Sequence, residues 1–154
     1  MARALVAVGA ALALALIALG LAVYLSRDEE GVAVDNLLAE DISRAVGTAE
    51  TAGNGVVDLG KVAKFEWDEL LIAERTTSRQ AISRELGHEW KGELAFQTGD
   101  MLIFLRDGKA ARFADYRGEG HFEGIERPFA RFDRDEAVFT VRSLVIRPRG
   151  SPRG

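Results

Sequence analysis

The sequence predicts an α+β fold: an N-terminal transmembrane helix, then helices packed on one face of an antiparallel sheet. Three observations predict it. Residues 4–25 are apolar except for Gly9 and Gly20 and carry no charge. The next part of the chain has helical periodicity. The last third is broken into short β-like runs by turn signals such as Asp107-Gly108.

The first of these splits the composition. The whole chain has 154 residues, 20 Lys+Arg, 24 Asp+Glu and 47% apolar residues. All but one of the charges fall at residues 27–154, where 24 acidic residues outnumber 19 basic ones. The expected division is an anchor or uncleaved signal at 1–26 and a linker at 27–33. A single α+β domain outside the cytoplasm follows at 34–146, then a disordered basic tail at 147–154. As a helix, the 22 residues Ala4 to Leu25 would span about 33 Å, enough for a hydrocarbon core of ~30 Å. A cleaved signal normally has a shorter apolar region and a small-x-small site. Tyr24-Leu25-Ser26-Arg27 offers no such pair, so a retained single-pass anchor in the plasma membrane is favoured.

Within the domain, Val34, Leu37, Leu38, Ile42, Ala45 and Val46 form one helical stripe, and Gly47 is the expected stop, with a loop over 47–55. Residues 62–73 read as a strand. Thr77 and Gln80 have capping-box spacing before a helix that Gly87 ends. Strands are expected at 93–97, 101–106 and 109–116, with Asp107-Gly108 turning the last two into a hairpin. Residues 129–132 and 137–142 suggest a second hairpin, and Arg147 to Gly154 a frayed tail.

Composition also excludes chemistry. There is no cysteine, hence no disulfide, thiol nucleophile or Cys-based zinc site. The acidic balance argues against nucleic acid as a partner. His88 and His121 have no H-x-x-x-H or H-E-x-x-H context, no G-x-S-x-G elbow occurs, and no cofactor or metal is expected. The residues singled out are Trp67, Asp68, Trp90 and His121, as possible partner-binding positions. Each also has an ordinary role: the tryptophans as core, where a ring contributes large apolar area, and Asp68 as a bond to a nearby backbone amide. His121 is the better placed histidine, with Tyr116, Arg117, Glu119 and Glu123 nearby.

Residues 65–90 carry a resemblance. Phe65-Glu66-Trp67-Asp68-Glu69-Leu70-Leu71-Ile72, then Ile82, Leu86-Gly87 and Trp90, is similar to a family of small uncharacterised bacterial lipoproteins and membrane-tethered proteins. The chain departs from that family in lacking the lipid-bearing cysteine. It also has Glu74-Arg75-Thr76 where an aromatic Pro-Tyr element commonly follows. The resemblance implies a location outside the cytoplasm and no known activity. More weakly, Thr77, Gln80, Ile82, Leu86-Gly87 and Trp90 resemble small outer-membrane assembly lipoproteins and β-lactamase-inhibitor-like proteins, which implies helices on an antiparallel sheet. The leading expectation is a membrane-anchored, non-enzymatic module with an envelope protein as partner. The alternatives are a small envelope hydrolase using Asp68, His121 and nearby acids, and an immunity or inhibitor protein presenting an exposed aromatic patch.

Overall fold

The structure, a computed structural model, describes residue 17 and residues 32–52, 55–94, 99–125 and 127–150. The apolar run at 4–25 otherwise lies outside these residues, as do most of the linker, residues 95–97 of the expected strand with Thr98 of the turn after it, and the last four of the tail. Among the described residues no helix is long and apolar enough to cross a membrane. Residues 32–154 form one compact unit.

That unit is α+β. In chain order its elements are α1 (Asn36–Ala52), β1 (Val56–Asp58), α2 (Leu59–Val62), β2 (Glu69–Ala73), α3 (Arg79–Leu86), β3 (Asp100–Arg106), β4 (Lys109–Tyr116), β5 (His121–Phe122), β6 (Phe129–Asp133), β7 (Val138–Arg142) and β8 (Val145–Pro148). They make two four-stranded sheets, ordered β4-β3-β2-β6 and β1-β7-β8-β5. Every pairing is antiparallel except β5 with β8.

The first sheet is buried on both faces. Leu70, Ile72, Leu102, Phe104, Ala114 and Phe132 join α1 and the second sheet in one apolar cluster. Leu71, Ala73, Met101, Ile103, Leu105 and Phe113 join Ile82 of α3 and Trp90 in another. The expectation of helices on one face is therefore corrected, because α1 and α3 lie on opposite faces. The cause is visible in the unbroken runs Leu70-Leu71-Ile72-Ala73 and Met101 to Leu105. A strand with one wet face alternates, whereas a strand covered on both faces does not. Burying a side chain of this size contributes roughly 1.5–3 kcal/mol, so leaving either face bare would cost most of a domain's net stability.

The second sheet does alternate. Phe139 and Val141 point into the shared core while Thr140 and Arg142 face outward. Edge-to-face ring pairs tie the sheets together: Phe132 with Phe139 at 5.3 Å, and Tyr116 with Phe122 at 5.6 Å. Such pairs add about 0.5–1.5 kcal/mol beyond their area.

Element boundaries moved for local reasons. Asp35 starts α1, its Oδ1 accepting the Leu38 amide at 2.9 Å. The helix passes through Gly47 to Ala52, because Ala49 continues the buried row of Leu38, Ile42 and Val46. Leu37, expected on that row, is 75% exposed. Ser78, one residue after the expected Thr77, caps α3 by accepting the Ala81 amide. Gly87 ends it in the left-handed region at φ 75°, as a C-terminal glycine should. Of the expected strand 62–73 only Glu69–Ala73 joins a ladder, since Leu59–Val62 is a helical turn. The strands β6 and β7 are consecutive but do not pair; the turn between them crosses from one sheet to the other. The expected tail is corrected at its start, because Arg147 and Pro148 belong to β8.

Candidate functional site

The residues singled out from the sequence do not converge. Trp67 is buried against Phe104, with ring centroids 5.0 Å apart, and its Nε1–H donates to the Ala63 carbonyl at 3.3 Å. The Arg134 guanidinium covers the ring at 5.2 Å. Trp90 is buried on the opposite face of the first sheet, edge-on to Phe113 at 5.2 Å. Neither ring is on the surface, so neither serves as an exposed aromatic anchor, and the patch that an inhibitor reading called for is not built from them. The reason is packing: these two large rings fill the space above and below the same sheet.

Asp68 sits just before β2. Its Oδ2 accepts the Asp107 amide at 2.8 Å, which pins the β3–β4 hairpin. Its own amide donates to Leu105 and its carbonyl accepts from Arg134, each at 2.9 Å. His121, in β5 of the second sheet, lies near the other end of β2. It lines a cleft together with Glu74, which follows β2. Asp68 and Glu74 stand six residue steps apart across the extended β2, about 20 Å at ~3.3 Å per step. Asp68 and His121 therefore do not share a proton directly, which requires hydrogen-bond reach.

The cleft around His121 is the site that the fold assembles. It encloses about 690 Å³ between the end of β2, the start of β3, the end of β4 and the start of β5. Three guanidiniums, from Arg75, Arg117 and Arg127, line it with the carboxylates of Glu74 and Asp100. Gly99 is required at its base, because a Cβ there would collide with the Tyr116 carbonyl.

Its ion pairs have a common direction. Asp115 is buried, and its Oδ2 accepts from Arg117 Nε at 2.8 Å and from the same guanidinium's terminal nitrogen at 2.5 Å. The Asp100 side chain is 12% exposed and accepts from Arg127 Nη1 at 2.9 Å. The Arg117 and Arg127 side chains are 50% and 36% exposed. Each pair thus puts its negative end inward and its positive end toward water. Arg127 also donates to the Phe122 carbonyl at 3.0 Å, which holds its guanidinium across the cleft floor. Among the described residues Arg75 makes no ion pair.

Two neighbouring groups are tuned by these surroundings. The Tyr116 hydroxyl donates to the Glu119 carbonyl at 2.6 Å. Burial, with a smaller push from the Glu119 charge, raises this phenol to about 12. On the rim, Glu123 lies 2.8 Å from His121 Nε2 and 2.6 Å from Arg147. Hydrogen bonds from His121 first and then from Arg147 hold its carboxyl below the ordinary value.

No group of three His, Asp or Glu side chains with metal-binding geometry occurs among the described residues. Sequence reasoning picked out His121 with Tyr116 and Arg117 but missed Glu74, Arg75, Asp100 and Arg127. Those come from three other segments, and the pairing of β2 with β3 and β6 and of β3 with β4 brings them together. Compared with family models, curated proteins and solved structures, the chain matches none.

Proposed function

We propose that the protein is a membrane-tethered, non-enzymatic binding module that works outside the cytoplasm, with an envelope component as partner. The observation that carries the binding part is the orientation of the cleft's ion pairs. Asp115 and Asp100, on the inner side, fix Arg117 and Arg127 in place. Side chains held this way lose little further rotamer freedom when a ligand arrives, which is what preorganised recognition needs. The uncharged run at 4–25 supports the tether, and the similarity of residues 65–90 to membrane-tethered proteins supports the location.

The tether and its side are tested on the full chain in cells. The protein should stay with membranes through an alkaline wash, and its C-terminal domain should be cut by protease added from outside. Release by the wash, or protection of the domain until the membrane is broken, would overturn this reading.

A further inference from the structure

The cleft also indicates what kind of ligand it takes. Asp115 and Asp100 pair with Arg117 and Arg127, and Glu74 lies 3.9 Å from Arg127, so among the described residues Arg75 is its one guanidinium without an ion pair. Counted with Asp115, the cleft's formal charges balance, in a domain that is acidic as a whole. The buried carboxylates are already engaged, and the outward edges of Arg117 and Arg127 and the whole of Arg75 remain available to solvent. Guanidinium edges match the planar two-oxygen geometry of a carboxylate. A single unpaired guanidinium balances a monoanion and undercompensates a doubly charged phosphate.

The volume extends the argument. A space of about 690 Å³ falls in the range of whole small-ligand sites, roughly 300–1,000 Å³, and far exceeds one carboxylate. A carboxylate that sits here brings a few residues of attached chain with it. Tyr116, Gly99 and Gly118 then offer a wall without charge beside the arginines.

We infer that this cleft is a binding site for a free carboxylate carried by a short peptide segment, with Arg75 as the contact made only in the complex. The inference rests on the binding-module reading above and deepens it. Arg75 is the residue to test, because it lies in an exposed turn after β2 and supports no other side chain among the described residues.

The test is an NMR titration of the full chain in detergent, following the amides of Gly99, Gly118 and His121. The probes are N-acetyl-trialanine with a free carboxylate, the same peptide as its C-terminal amide, and inorganic phosphate. The free acid should shift these amides saturably and the amide should not. Arg75→Gln should weaken binding about tenfold, the worth of one charge-assisted contact, while Lys109→Gln on the β3–β4 hairpin should not. Binding should weaken as salt rises. Equal shifts by acid and amide, no shift at the cleft, or an unchanged Arg75→Gln titration would each overturn the carboxylate site. Tighter binding of phosphate at the same amides would overturn the choice of ligand class. Membrane retention is measured separately, so a failure here leaves the tether standing or falling on its own result.

Discussion

Asp68 is an acid next to a strand of aliphatic residues, and the hairpin amide of Asp107 accounts for it. A carboxylate bonded to a backbone amide 39 residues away acts as a clasp between β2 and the β3–β4 turn. Its role was partly legible, since an aspartate in such a place commonly finds a nearby amide. Which amide it finds depends on strand pairing. The tryptophans were legible in the same partial way: large rings belong inside, but only the layers decide that Trp67 and Trp90 lie on opposite faces. Tyr116 gives a residue-scale prediction. Its phenol ionises near pH 12 in the folded protein, against about 10 in the unfolded chain. The folded state therefore holds this proton more tightly. The stability that it contributes is complete below pH 10 and is lost as pH rises from 10 to 12. Denaturant titrations should show that loss, and Tyr116→Phe should remove Tyr116's share of it. An unchanged slope in the variant would refute the assignment.

The elements were legible where local chemistry dominates. Gly87 ends α3 and Asp107-Gly108 turns β3 into β4, because each position needs a left-handed residue and has one suited to it. The turn between β7 and β8 breaks that rule. Ser143 and Leu144 both adopt positive φ, 49° and 63°, without glycine. Leucine in this region is strained by roughly 1–2 kcal/mol. The turn is held from outside, with Glu50 Oε1 accepting the Ser143 amide at 3.0 Å and the Leu144 carbonyl accepting the His121 amide at 3.0 Å. Hence β8 was hidden in what reads as a basic tail: its turn signal is absent, and tertiary contacts replace it. Replacing Ser143-Leu144 by Asn-Gly, which suits this turn, should raise stability by about 1 kcal/mol in chemical denaturation. A loss of stability would mean that the Leu144 side chain, 40% exposed, contributes more than its backbone costs.

At the scale of the whole molecule, unbroken apolar runs in β2 and β3 demand cover on both faces, and α1, the second sheet, α3 and Trp90 supply it. The α+β class was legible from the order of elements. The second sheet was not, because consecutive β6 and β7 look like a hairpin and only the global layering separates them. The cleft follows from that layering, since its charged residues come from separate segments that meet at the end opposite the Asp68 clasp. Arg117 and Arg127 lie just outside β4 and β6, and their ion pairs to Asp115 and Asp100 on the strands hold these guanidiniums in place. The end of the domain that carries the cleft is the part proposed to meet a partner outside the membrane. The most direct measurement puts a photo-crosslinking amino acid at position 75 of the full-length protein in intact cells, with position 135 beyond β6 as control. Position 75 should give a discrete adduct, reduced by excess N-acetyl-trialanine, and position 135 none. Adducts from position 135 alone, or equal adducts from both that the peptide leaves unchanged, would contradict it.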